Sequence, residues 1–146
     1  VELTEEEKEA VRFERKMQSG KKTFALRCAS CHQTNGLGIE NQYPPLAGSE
    51  WVTANPELIT KIILKGLKGE IVVKGEKYGT SAAVNMVAVD INDREIANVS
   101  TYVRNAWGNE ASELTEDQVS KIRDSIADMQ DQWTGEELQS EYLSDL

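Results

Sequence analysis

The sequence predicts an all-α domain carrying one small hairpin. Three observations lead there. Helix-start signals recur along the chain, at Thr4-Glu5-Glu6-Glu7, Asn55-Pro56-Glu57, Asn92-Asp93-Arg94-Glu95 and Thr115-Glu116-Asp117-Gln118. Apolar residues after them return every three or four positions, the repeat of a half-buried helix. The one β-rich stretch, Glu70–Tyr78, is short and turns at Gly75. A length of 146 residues fits one domain.

The elements follow in order. The first helix opens at the Thr4 capping box and continues to about Met17, with acids in its first turn that suit the helix dipole. Gly20 precedes Lys21–Arg27, a second helical stretch or a continuation of the first. Residues 33–50 read as loop, because Gly36, Gly38, Pro44, Pro45 and Gly48 interrupt any regular element. The Asn55-Pro56 start leads into Leu58, Ile59, Ile62 and Ile63, one apolar face, and Gly66 ends it. Residues 79–91 look irregular. From Asn92 a helix presents Ile96, Val99, Tyr102 and Val103 on one face, with Gly108 closing it. From Thr115 a long last helix is expected, striped by Val119, Ile122, Ile126, Met129 and Trp133 and stopped at Gly135. That stripe either packs on the protein's own body or binds a partner's groove.

Composition excludes several functions. No apolar run approaches the roughly 18 residues of a membrane span. No basic tract suggests nucleic acid. With two cysteines and one histidine, a four-cysteine zinc site is impossible. Residue 1 is Val and no leader is apparent, so a processed or excised chain is expected. Charge is unevenly spread. Residues 110–146 hold eleven acids against two bases, which accounts for the whole net charge of −9. Residues 20–109 hold ten bases and eight acids. The acidic tail is either a solvated face or a surface that selects a basic partner, and steering of the second kind weakens with salt.

Chemistry is concentrated in Cys28-Ala29-Ser30-Cys31-His32, a C-x-x-C-H sequence of the kind that attaches c-type haem. On one helical turn, two thiols three apart can each bond a vinyl group of one porphyrin, with the adjacent imidazole under the iron. The rival readings are weaker. A thioredoxin-like C-x-x-C belongs at a strand-to-helix junction, whereas these flanks are helix and loop. A zinc site lacks a second ligand pair. A disulfide across three residues would close almost no loop.

Around this motif, residues 20–109 resemble the class I (mitochondrial-like) mono-haem cytochrome c family, in its bacterial form. Gly20 and Phe24 before the motif, Pro44-Pro45-Leu46 after it, and Val99 with Tyr102 on a later helix carry the resemblance. So do the stretches PPLAGSEWV (44–52) and TYVRNAWGN (101–109). The resemblance implies a cytochrome c fold around one covalent haem c; the extensions 1–19 and 110–146 lie outside it and are read as extra helices that wrap the body or contact a partner. It implies that the Pro44 carbonyl accepts the His32 Nδ1–H, which orients the ring and raises its basicity. It also implies that Leu46 packs on the haem and that Gly20 lets a helix cross closely.

For the sixth ligand a second histidine is not available, and three methionines remain. Met17 precedes the motif, and Met129 belongs to the tail stripe. Met86 lies just before the Asn92 helix, where the family places its axial Met, although here it is followed by Val87 rather than proline. The alternative is an open iron, or one held by Lys74, Lys77 or Tyr78. A thioether ligand favours ferrous iron and raises the potential. Trp51 is a candidate donor to a haem propionate or a packing residue, Trp107 is read as packing, and the hairpin is expected to cover a haem edge.

The function implied is one-electron transfer by a His32/Met86-ligated haem, as a soluble carrier or as the electron-transfer module of a larger redox system. Its partners would be redox proteins, namely a dehydrogenase, reductase or oxidase. Attachment of haem c places such proteins in the periplasm or otherwise outside the cytoplasm. The competing readings are a haem enzyme or gas sensor with an open or labile sixth site, and a haem-free thiol protein.

Overall fold

A computed structural model describes residues 1–80 and 85–144 of the chain. The irregular stretch expected at 79–91 therefore falls partly outside the described residues, at 81–84.

The first helix, α1 (Glu5–Arg27), is continuous, so the residues around Gly20 continue the first helix rather than begin a second. Its start is the capping box read from sequence: Thr4 Oγ1 accepts from the Glu7 N–H at 3.1 Å, and the Glu7 carboxylate accepts from the Thr4 N–H at 2.9 Å. A single turn, α2 (Ala29–His32), carries the C-x-x-C-H motif. A second short turn, α3 (Glu50–Thr53), begins at the last residue of the stretch read as loop. Then come α4 (Pro56–Lys65), β1 (Leu67–Lys68), β2 (Ile71–Val73) and β3 (Glu76–Tyr78). Strands β2 and β3 form the expected antiparallel hairpin. Lys74 and Gly75 turn it with φ of 51° and 81°, the left-handed pair that two-residue hairpins favour. Helix α5 (Asp93–Val103) again begins at the expected capping box, Asn92 with Glu95, but it ends five residues before Gly108.

The tail departs most from expectation. The long helix ends at Ser125 as α6 (Glu116–Ser125). After a turn come β4 (Trp133–Thr134) and α7 (Gly135–Tyr142). Gly135 thus opens a helix instead of stopping one. Thr134 caps α7 through a capping box with Glu137. Strand β4 pairs in parallel with β1, Leu67 opposite Trp133.

Helix α1 crosses α5 where Gly20 meets Asn98 and Tyr102. A methyl at Gly20 would collide with the Asn98 carbonyl and stand 2.7 Å from Tyr102 Cβ. Phe24, Tyr102 and Trp107 form an aromatic triangle beside this crossing, with centroids 5.2–5.7 Å apart. Trp107 is therefore a packing residue, as read from sequence. The buried core has two parts. One joins Phe24, Ile59, Ile63, Val99 and Val119. The other joins Trp51, Leu58, Ile62, Ile71, Val73 and Leu138. Helix α4 supplies both, because its apolar stripe is wide enough to face two sides.

The tail is fastened to this body by charge as well as by packing. Arg12 and Lys16 of α1 hold Glu113 at 2.8 and 2.9 Å, and Arg123 holds Asp93 at 2.7 Å. The Arg104 side chain, 1% exposed, donates to the Val52 carbonyl at 2.6 Å and to Ser112 O and Oγ at 2.9 and 3.0 Å. It ties the 110s loop to α3.

Candidate haem site

An apolar cavity separates the two parts of the core. Phe24, Val99 and Val103 line it from one part, and Ile62, Leu67, Ile71 and Val73 from the other. A second hollow adjoins it, sharing Cys28, His32, Pro44, Leu67, Ile71 and Met86. A largely apolar wall of this kind is usual in a cofactor site.

The end of α1 and the turn α2 deliver Cys28 and His32 to the wall of both hollows, and Cys31 to the second. Both cysteines are free thiols. Burial pushes the Cys28 thiol up to about 11, against a smaller opposing effect of Arg27, so it is protonated at neutral pH. His32 Nδ1 lies 2.9 Å from the Pro44 carbonyl. Burial lowers the imidazole's pKa, and the bond to Pro44 pulls weakly the other way. The ring is therefore neutral. With Nδ1 donating to Pro44, Nε2 is left as the unprotonated nitrogen, the state a metal ligand requires.

The loop after α2 is held by backbone bonds that bring Pro44 and Leu46 over the cavity. Leu46 N donates to Gly36 O at 2.7 Å, and Gly38 N to His32 O at 3.0 Å. Pro44, Pro45 and Leu46 all line the cavity. Met86 lines both hollows, and a backbone pair with Leu67 holds it there: Leu67 N to Met86 O at 2.8 Å and Met86 N to Leu67 O at 3.0 Å.

Other sequence-based candidates fall differently. Trp51 lines the cavity, but its indole N–H donates to the Val72 carbonyl at 2.8 Å. That bond fastens the hairpin to α3. Lys77 pairs with Glu70 at 3.4 Å, and Lys74 Nζ reaches the Ala47 carbonyl. Neither lysine lines the cavity. Tyr78 is buried and lines the second hollow. The hairpin does flank the cavity, through Ile71 and Val73. Sequence reasoning did not single out Gln132, whose Nε2 donates to the Met86 carbonyl at 2.9 Å. No local signal marks a glutamine that acts 46 residues away.

Two unbridged thiols on one turn, a neutral imidazole held at one nitrogen, a thioether and apolar walls together fit a covalently attached haem. The comparisons with known proteins agree. The family model described as Cytochrome c matches residues 17–107, more than half of the chain. Cytochrome c-552 of Thermus thermophilus is 37% identical over 113 residues, covering 71% of this chain and 83% of that protein. The cytochrome c subunit of a quinone-dependent alcohol dehydrogenase from Gluconacetobacter polyoxogenes is 33% identical over 111 residues. The cytochrome c subunit of gluconate 2-dehydrogenase from Pantoea cypripedii is 28% identical over 116 residues. These matches cover 74% and 73% of this chain but only 23% and 24% of the two subunits.

Proposed function

Because this chain belongs to the cytochrome c family, with the covalent haem c that membership implies, we propose that it transfers single electrons through an iron ligated by His32 and Met86. The observation that carries this reading is the presence of Met86 and His32 in the wall of one apolar cavity, with Nδ1 of His32 given to Pro44.

When bound, the haem supplies a reversible ferric/ferrous couple. The chain's residues do the rest. Cys28 and Cys31 would hold the group through thioether links to its vinyl substituents. Pro44 keeps the His32 ring oriented and its lone pair basic. Met86 contributes a neutral sulfur that favours the ferrous state. Leu46, Ile62 and Val99 keep water away, which also disfavours the extra positive charge of ferric iron.

The similarity to dehydrogenase cytochrome subunits supports redox proteins as the chain's partners, whether it acts as a carrier or as one module of a larger assembly. It also supports a location outside the cytoplasm, where haem c is attached. Among the described residues no helix is long and apolar enough to cross a membrane.

Absorption spectroscopy tests the ligand set. Ferric protein is expected to show the weak near-infrared band of a Met–iron bond, and dithionite-reduced protein a sharp low-spin α-band. Met86→Ala should remove the near-infrared band. Survival of that band moves the ligand elsewhere, and a high-spin wild-type spectrum favours an enzyme or sensor with an open sixth site.

A further inference from the structure

We propose that Gln132 is a positioning residue for Met86, and that the C-terminal extension thereby sets how readily the iron's sixth ligand is exchanged. This rests on the reading of Met86 as that ligand.

The geometry is a three-layer junction. Strand β1 is paired on one edge with Met86 and on the other with β4. Trp133 N donates to Gly66 O at 3.1 Å, and the Trp133 indole donates to Lys61 O at 3.0 Å. These bonds put the preceding residue, Gln132, beside Met86. Its Nε2 donates to the Met86 carbonyl, which already accepts from Leu67 N. Both acceptor positions of that carbonyl are therefore filled, one from β1 and one from the tail. Gly66 makes the convergence possible. A Cβ there would lie 2.6 Å from Met86 O, 2.9 Å from Ala88 N and 3.0 Å from Gln132 Nε2.

One route by which Met86 would leave the iron moves its backbone away from β1. That motion breaks the Gln132 bond together with the Leu67 pair. Removing the amide lowers the cost of the motion by one hydrogen bond while leaving the cavity wall unchanged. A second tether of the same tail offers a control. Lys65 Nζ donates to Met129 O at 3.0 Å and does not touch Met86.

The experiment measures displacement of the native ligand by imidazole in the ferric holoprotein, followed by loss of the near-infrared band. Amide hydrogen exchange at Leu67 and Met86 is read in parallel. Gln132→Leu is expected to speed both by roughly two- to tenfold. Gln132→Glu, equal in length but without a donor, should do the same. Lys65→Met should leave both near wild type, even where it lowers global stability as much. Unchanged rates in both Gln132 variants overturn the proposal, as does equal acceleration in Lys65→Met. Those results leave Met86 as the ligand. A wild-type spectrum without the Met–iron band removes that reading, and the positioning role with it.

Discussion

Gly20 and Asn98 meet where α1 crosses α5, so closely that a side-chain carbon at position 20 has no room beside the Asn98 carbonyl. The contact is backbone to backbone, and neither helix can yield without shifting Phe24 and Tyr102. Gly20→Ala is expected to destabilise the holoprotein by at least ~2 kcal/mol, despite alanine's better helix propensity. Urea unfolding followed at the haem band checks this; a variant as stable as wild type would show that the crossing relaxes.

The cavity between the two parts of the core predicts the behaviour of the chain without its cofactor. Phe24, Ile62, Ile71 and Val99 line this space and do not fill it. A Cys28→Ser/Cys31→Ser chain, unable to form thioethers, is expected to be unfolded or molten. Far-UV circular dichroism during a thermal melt is the check, and native helicity with a cooperative transition is the contrary result.

The tail is expected to contribute to the core and not only to charge. Leu138 is fully buried, in one cluster with Leu58 and Ile71. Leu138→Ala should cost about 2–5 kcal/mol, as a deeply buried leucine does. The Met–iron band should persist at neutral pH, since Met86 is held by backbone and side-chain bonds from Leu67 and Gln132 that do not involve Leu138. Denaturation midpoints together with the ferric spectrum test both halves.

Acid should loosen the attachment of the 110s loop to α1. Hydrogen bonds from the Arg12 guanidinium lower the Glu113 carboxyl to about 2, with Lys16 adding to the effect and burial opposing it. A carboxyl whose folded pKa is depressed stabilises the fold above its unfolded value, near 4.5, and loses that contribution as pH falls towards 2. Glu113→Gln should therefore melt lower than wild type at pH 7, and the gap should close between about pH 4.5 and 2. A gap independent of pH would assign the effect to packing.

Much of this architecture was legible because its determinants are local. Thr4, Asn55, Asn92 and Thr115 announced their helices through capping chemistry confined to three or four residues. The C-x-x-C-H sequence was likewise readable from adjacent residues, whereas the bond from His32 to Pro44 was an expectation carried by the family resemblance. The tail misled for a physical reason. Val119 through Trp133 keeps a helical spacing, but the chain turns after Ser125 because Trp133 gains a strand pairing with Leu67 that periodicity does not encode. Gly135 misled in the same way. It is glycine because a Cβ would collide with the Glu70 carbonyl, a neighbour 65 residues earlier. The Thr134–Glu137 capping box was present in the sequence and outweighs the glycine. Trp51 lines the cavity, and its indole bonds Val72, a partner set by the hairpin's docking that no local pattern encodes.

The parallel pairing of β1 with β4 also orders assembly in time. It closes a loop of more than sixty residues, whereas the turn that carries Cys28 and Cys31 completes a helix formed from its immediate neighbours. Distant contacts carry the larger chain-closure cost and form late, while helical turns form first. On that ordering the thiols are expected to be presented while the last segment is still loose, before the junction of Leu67, Met86 and Trp133 closes. A chain cut before Trp133 is then expected still to accept haem, which the absorption spectrum of the truncated protein checks.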